Sequence, residues 1–460
     1  MNNNKIVVTL KYFQGELNPF DGAALECALE CALECAAQTG GDVIVVAMAP
    51  VSVKEQLKSL TRLGVKAVLL SDPAFAGSDT QATSYILASA IRRLQPDFIF
   101  CGRQSVDGDT AQVPPMLAQR LGYPLITRVI EVNGNKFCTR DGVRGEFSQG
   151  AVYTFEKIRT LRFPSIFSGA GEVETWNAAT LSANLSLCGL RGSPTRVIQS
   201  YESTVGRRSC AFVSLEQFSQ LIETLLHKKR KEEKSQESGE KLPQAFYAGN
   251  IGSVAESVAQ KAVLFDAAAK SPETVAEELL KQGATTVLWE NTEELKTLAA
   301  RVAAITGAGL CADCISFRVE NGELIMTRPA RGGNVTADIV ARSEMKFATV
   351  KTARAGENDV IFAVGKGCAN KIEKIRALAM RYGAELCSSR AVADSGKMPY
   401  STQVGLTGKT VSPKIYVAFG ISGAVQHTCA ITGADAVIAV NKDKNARIFD
   451  YADYGIIAEV

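Results

Sequence analysis

The sequence predicts an α/β protein of doubly wound parallel sheets, and three observations carry that prediction. Short apolar runs alternate with longer amphipathic runs through both halves of the chain. Loops bearing glycine and aspartate follow the apolar runs, as where crossover helices start at strand ends. A polar, highly charged stretch at 227–241 divides the 460 residues into halves of nearly equal length and reads as a linker.

Taken in order, residues 5–10 read as a strand, followed by a helix beginning near Asp21, which is placed to cap it. Strand 42–47, helix 53–63, strand 67–70, helix 80–94 and strand 98–101 complete the first series. Beyond the charged stretch, strands 262–265 and 286–289 enclose helix 273–282, and helix 295–306 comes next. Strands 360–364, 385–388, 415–419 and 436–440 finish the pattern. The halves share a helix–glycine–strand rhythm (62–70 and 280–288) but no close repeat. Ligands of such sheets bind beyond the carboxyl ends of the strands.

Composition narrows the function classes. Two or three domains are expected at this length. A net charge of +3 gives no bulk electrostatic case for nucleic acid. The longest near-apolar stretch, 43–53, is far short of an integral membrane span. No charged, apolar and cleavage segments precede the first strand, so a soluble, cytoplasmic protein is expected. Twelve cysteines in a chain this long do not form a secreted disulfide framework. Cys27, Cys31 and Cys35 share one helix face, but the outer two lie about 12 Å apart, too far for one metal ion. Cys311 and Cys314 form a lone CxxC without a second pair or a nearby histidine. No metal site is expected.

Two regions carry chemistry. After strand 98–101 the chain reads Gly102, Arg103, Gln104, Ser105, Val106, Asp107, Gly108, Asp109, Thr110, Ala111, Gln112, Val113. Backbone N–H groups of such a loop, entering a helix, can hold a phosphate, while the aspartates can accept from ribose hydroxyls or simply cap the helix. Asn18, Pro19, Phe20 and Asp21 form another strand-to-helix loop that can close the same crevice. The second region is C-terminal. Ser389 and Arg390, then Gln403 to Lys409, then Gly420 to His427, then Asn441 to Asp443 fall at successive strand ends. Small residues there admit a diphosphate, and His427 is one of only two histidines in the chain. Four such loops in series point to a nucleotide cofactor.

The same residues carry a family resemblance. SRAVAD (389–394), QVGLTGKTVSPKIYVAFGISGAVQH (403–427), AVNKDKNARIF (439–449) and ADYGI (452–456) resemble the FAD-binding domain of electron transfer flavoprotein alpha subunits. RPARGGN (328–334) and FATV (347–350) look like the end of that subunit's first domain. NPFDGAALE (18–26), DTQATSYILASAI (79–91), PDFIFCGRQSVDGDTAQ (96–112) and LRFPS (161–165) resemble the beta subunit. The resemblance implies a beta–alpha fusion. Its parts would be a beta-like domain (1–226), a charged linker (227–247), a shortened alpha N-terminal domain (248–345) and an FAD-binding domain (346–460). The first and third resemble adenine-nucleotide alpha-hydrolase-like folds, and the last a flavodoxin- or Rossmann-like fold.

Carried over position by position, the resemblance implies FAD at Lys366, Ser389, Arg390, Gln403, Val404, Gly405, Leu406, Thr407, Ser422, Gly423, Ala424, Val425, Gln426, His427, Asn441 and Glu459. Arg390 would lie over the flavin ring, Thr407 near N5 and His427 at the pyrimidine side. A guanidinium 4 Å from the reduced ring, at an effective dielectric near 20, is worth about 4 kcal/mol, or roughly 170 mV for one electron. In the beta-like half a second nucleotide, FAD or AMP, would meet Thr9, Asn18, Pro19, Phe20, Asp21, Val45 and the loop from Gly102 to Val113. DGDTAQ resembles the two-FAD, bifurcating branch of the family more than the AMP branch.

The implied function is an FAD-containing electron carrier between a dehydrogenase, of the acyl-CoA dehydrogenase type in much of the family, and a second redox partner. The alternatives are a two-FAD flavoprotein that oxidises NADH, and an adenine-nucleotide-binding regulatory module with a degenerate flavin site. Departures from the family pattern sharpen these expectations. Lys366 stands for an arginine, Leu406 for a glutamine and Arg331 for a phenylalanine. Pro114 stands for a glycine, so the phosphate-binding helix is expected to start a turn late. Residues 10–18 are short where the family has a hairpin. Glu172 and Glu174 stand where the partner-recognition loop is normally basic, which argues against the usual dehydrogenase docking.

Overall fold

The computed structural model describes residues 4–36, 41–202, 207–228, 239–331, 335–351, 359–405 and 408–459. Its chain divides into two compact units, one of residues 1–199, 240–331 and 337–350, the other of 200–239, 332–336 and 351–460.

The first unit is built on a nine-stranded sheet. Its order is Val173–Trp176, Lys66–Leu70, Gly41–Met48, Asn4–Leu10, Phe98–Gly102, Ala151–Phe155, Leu125–Asn133, Lys136–Thr139 and Arg144–Glu146. The first seven strands are parallel, and the last two extend the sheet antiparallel. Both faces are covered, as the apolar runs require. Ile6, Val8 and Leu10 enter one core while Val7, Ile44 and Val46 enter the other. Cys27 and Cys31 pack in the first of these cores, on the helix Pro19–Ala36. The side chain of Cys35 lies outside the described residues.

A second, five-stranded parallel sheet orders Ala259–Leu264, Leu242–Ala248, Thr286–Glu290, Lys346–Val350 and Gly309–Cys314. Beside it, Ser316–Glu320 and Glu323–Ala330 form an antiparallel hairpin within a four-stranded sheet.

The second unit holds a six-stranded parallel sheet: Ala211–Phe212, Tyr454–Ile457, Ala436–Asn441, Ile415–Phe419, Val360–Val364 and Glu385–Ser388. Here the structure departs from the expected boundary at 226. Residues 211–212 pair with Tyr454 and Gly455, and the helix Phe218–His227 buries Phe218, Ile222 and Leu225 in this sheet's core. The charge run at 227–241 marks a polar segment, but composition cannot reveal which core an amphipathic helix before it will cover. Residues 229–238 of that run lie outside the described residues.

Two local expectations are also corrected. Asp21 does not cap its helix, which begins at Pro19. A hairpin is present at the start of the chain, where Tyr12–Phe13 pairs with Glu16–Leu17. Gln14 and Gly15 turn it with φ of 52° and 84°, the left-handed pair that a tight hairpin needs. The helix after the Gly102 loop begins at Val113, with Pro114 and Pro115 in its first turn where N–H groups have no intrahelical partner.

Candidate functional site

In the nine-stranded sheet the chain runs outward from Asn4–Leu10 through Gly41–Met48 to Lys66–Leu70, then returns to Phe98–Gly102 on the other side of the first strand. The carboxyl ends of Asn4–Leu10 and Phe98–Gly102 therefore part at a topological switch point, where a crevice opens. A cavity of about 270 Å³ lies there. Thr9, Asn18, Asp21 and Gly102 line its floor, and Gln104, Gly108, Thr110, Ala111, Gln112 and Val113 line the loop side.

Asp21 ties the crevice together. Its Oδ2 accepts from the Lys11 N–H at 2.7 Å and its Oδ1 from the Gly102 N–H at 3.1 Å. A Cβ at Gly102 would lie 2.1 Å from that Oδ1, so the close approach needs glycine. Burial pushes the Asp21 carboxyl up to about 7, against the hydrogen bonds and Lys11. Asn18 donates Nδ2 to the Gln104 carbonyl at 2.9 Å, while its buried Oδ1 has no hydrogen-bond partner among the described residues. Asp107 is taken up by Lys11, whose Nζ donates to both carboxylate oxygens at 2.9 and 2.8 Å. Burial opposes the charge of Asp107, but Lys11 holds its carboxyl below the usual range.

The loop itself is strained and then clamped. Asp109 and Ala111 have φ of 54° and 53°, left-handed backbone at residues other than glycine. Three groups far along the chain hold it. Arg328 Nη2 donates to the Gly108 carbonyl at 2.7 Å, the Arg331 N–H to the Asp107 carbonyl at 3.1 Å, and Gln112 Nε2 to the Leu310 carbonyl at 3.3 Å. Gln112 Oε1 meanwhile accepts from Thr80 Oγ1 at 2.8 Å.

The remaining expected residues do not line the cavity. Val45 is fully buried in the sheet beside Val8, and Pro19 starts the helix. Arg103 is buried with its Nε 3.0 Å from Glu156 Oε1 and its cation 5.8 Å from the Phe20 ring centroid. Sequence reasoning missed the opposite wall of Ser78, Asp79, Thr80 and Thr83. Its signal was present: Asp79 caps the helix Thr80–Leu94, accepting from the Gln81 and Ala82 N–H groups.

The six-stranded sheet has its own switch point. From Val360–Val364 the chain goes to Glu385–Ser388 on one side, then to Ile415–Phe419 on the other. The parallel pairing brings Lys366, Ser389, Arg390, the Ser422–His427 loop and Asn441 to one edge, with Glu459 beyond the next strand. Gln403 and Val404 join them, since the Val404 N–H donates to the Ser388 carbonyl at 2.9 Å. Gly423, at φ 85°, passes so close to the segment beyond that a Cβ would meet the Ile448 nitrogen at 2.1 Å. Asn441 Nδ2 donates to the Ile421 carbonyl at 2.9 Å and pins the same loop. Along it Ser422, Ala424 and Gln426 are exposed while Gly423, Val425 and His427 are buried. Leu406 and Thr407 lie outside the described residues, next to Gly405.

Arg390 Nε lies 3.2 Å from Asp394 Oδ2, with more than a third of its side chain exposed. Glu459 pairs with Lys371 at 3.2 Å and faces solvent. His427 is buried, and its Nε2 lies 2.8 Å from the Tyr416 hydroxyl. Burial pulls the imidazole down to about 4, offset in part by the Val404 backbone beside it. Among the described residues the Ser389 Oγ is buried without a hydrogen-bond partner, and the buried Nδ1 has no neighbour at full hydrogen-bond geometry beyond its approach to the Val404 backbone. Orphaned polar atoms beside a tight glycine loop fit a polar planar cofactor.

The sequence models agree with this geometry. The electron transfer flavoprotein domain matches twice, at residues 7–146 and 252–379, and the electron transfer flavoprotein FAD-binding domain matches 355–432. This chain belongs to the electron transfer flavoprotein family. It is 36% identical over 196 residues to the electron transfer flavoprotein subunit beta of Thermoanaerobacterium thermosaccharolyticum, covering 40% of this chain and 74% of that protein. It is 37% identical over 211 residues to protein FixB of Clostridium saccharobutylicum, covering 36% of this chain and 63% of that protein. It is 30% identical over 216 residues to the subunit alpha of Bacillus subtilis, covering 38% and 66%. Two copies of one electron transfer flavoprotein domain ahead of a single FAD-binding domain make this a beta–alpha fusion. Among the described residues, no helix is long and apolar enough to cross a membrane.

Proposed function

We propose that this protein carries electrons between a dehydrogenase and a second redox partner, with FAD at the edge of the six-stranded sheet. The observation that carries the reading is the pair of buried polar atoms at the switch point, Ser389 Oγ and His427 Nδ1, left without full hydrogen bonds among the described residues and lying within the stretch matched by the FAD-binding model. Bound FAD supplies the reversible uptake of electrons. Ser389 Oγ and His427 Nδ1 hold polar atoms of the cofactor, and the Gly423 turn admits it closely. Arg390 places positive charge near the ring, screened by Asp394.

The cavity of the first unit takes a second nucleotide on this reading. Its size favours AMP over a second FAD, because about 270 Å³ falls just below the roughly 300–1,000 Å³ of drug-sized ligand sites. Pro114 and Pro115 also remove two N–H donors from the helix start that a diphosphate would use. The orphaned Asn18 Oδ1 suits a ribose hydroxyl or an adenine amino group.

The dehydrogenase docks on the loop after Arg162. Phe163, Ile166 and Phe167 are 94%, 83% and 92% exposed there, while Arg62 fixes the loop through the Ser165 and Ser168 carbonyls. With Glu172 and Glu174 exposed beside it, the contact is apolar and not basic. Flavin and AMP counted per purified chain test the whole reading. One flavin plus one AMP is expected; two flavins favour electron bifurcation, and a colourless protein overturns the carrier.

A further inference from the structure

Tyr416 is the residue this reading of the flavin site leaves unused. It is fully buried in the strand Ile415–Phe419. Burial holds its phenol well above the usual range, so the hydroxyl keeps its proton. That hydroxyl makes one hydrogen bond among the described residues, to His427 Nε2.

One hydrogen bond between these two groups can be formed in two ways. If Nε2–H donates to the tyrosine oxygen, the Tyr416 proton is buried with no acceptor and Nδ1 is bare as well. If Tyr416 O–H donates to a bare Nε2, the phenol is satisfied and the ring proton sits on Nδ1. The second arrangement strands one group where the first strands two, and buried polar groups are overwhelmingly satisfied. The ring also approaches the Val404 backbone as a donor, and with Nε2 facing Tyr416 that proton falls to Nδ1.

We propose that Tyr416 is a positioning residue that fixes His427 as its Nδ1–H tautomer, keeping the ring's buried N–H beside the Val404 backbone as the donor toward the flavin. The role toward flavin rests on the reading above; the tautomer does not. A neutral N–H at that place strengthens its hydrogen bond as the ring gains electrons and gives up no proton. Without the tyrosine, the imidazole proton is free to sit on either nitrogen.

The chain has two histidines, so ¹⁵N-histidine NMR of the full-length purified protein reads this directly. His227→Gln, an exposed position, identifies the His427 signals. The expected spectrum shows a protonated Nδ1 and a bare, hydrogen-bond-accepting Nε2. Tyr416→Phe, which keeps the ring in the core, is expected to mix the two tautomers and to shift the flavin potential downward. A proton on Nε2 in the unsubstituted protein overturns the proposal, as does an unchanged tautomer in Tyr416→Phe. If that variant fails to fold, the unsubstituted spectrum decides alone. Absence of flavin absorbance in the same sample overturns the carrier reading and leaves the tautomer result standing.

Discussion

Two crevices of this protein occupy the same place in their sheets and are finished in opposite ways. At the first, an acid is buried: Asp21 stitches two strand ends and is pushed toward its protonated form. At the second, a base is buried: His427 is pushed toward its neutral form. Among the described residues the first leaves an orphaned acceptor, Asn18 Oδ1, and the second offers buried, incompletely bonded polar atoms at Ser389 and His427. The switch-point rule says where a parallel sheet will bind. What it binds is decided by which polar atoms the local packing leaves unsatisfied.

The sharpest way to break the comparison is to fill one crevice at a time. Gly423→Ala sets a Cβ 2.1 Å from a backbone nitrogen at φ 85°, and Gly102→Ala sets one 2.1 Å from Asp21 Oδ1. Overpacking is expected to cost about 3 kcal/mol in each case, with about 1–2 kcal/mol of left-handed backbone strain added at Gly423 alone. Gly423→Ala should empty the flavin site and leave bound nucleotide in the first cavity; Gly102→Ala should do the reverse. Cofactor analysis of both variants decides it.

Acid and base titration come next. Between about pH 4 and 7 folded Asp21 holds a proton that the unfolded chain has released. Stability of the first unit therefore falls as pH rises through that window, by up to about 4 kcal/mol. Between about pH 6.5 and 4 unfolded His427 takes a proton that the folded ring refuses. Stability of the second unit therefore falls as pH drops, by about 3 kcal/mol. Melting curves against pH, followed by flavin fluorescence for the second unit, should slope in opposite senses. His427→Gln should flatten the acid side alone.

The smallest effect concerns Arg390. With its side chain partly exposed and paired to Asp394, its attraction for a reduced ring is screened toward the aqueous limit. Arg390→Ala is expected to lower the flavin potential by about 1 kcal/mol, roughly 40 mV, and not the larger figure of an unscreened pair. Spectroelectrochemistry of the variant checks this, and an unchanged potential removes Arg390 from the site.

Legibility followed locality. The strands Val360–Val364, Glu385–Ser388 and Ile415–Phe419 and the helix Thr80–Leu94 match the sequence reading at both ends. Each is bounded by a cap, a glycine or a charged residue that fixes its limits nearby. What depends on distant partners was not legible. Asp21 looks like a cap because aspartate before an apolar helix usually is one; its true partners are 10 and 81 residues away. Residues 211–227 read as the end of the first half, yet their hydrophobic face finds the last sheet. Tyr416 reads as one more apolar core residue until the fold brings His427 to its hydroxyl.

The clamp on the Asp107–Gln112 loop has a consequence in time. Its three fasteners come from residues 310, 328 and 331, about two hundred positions downstream. During synthesis the nine-stranded sheet can be complete while this strained loop has only its upstream contacts, Lys11 on Asp107 and Thr80 on Gln112, to hold it. The cavity proposed for a nucleotide is fully clamped only once residue 331 has left the ribosome. In one fused chain, a single translation event then supplies both the pocket and its clasp, in equal number and already tethered.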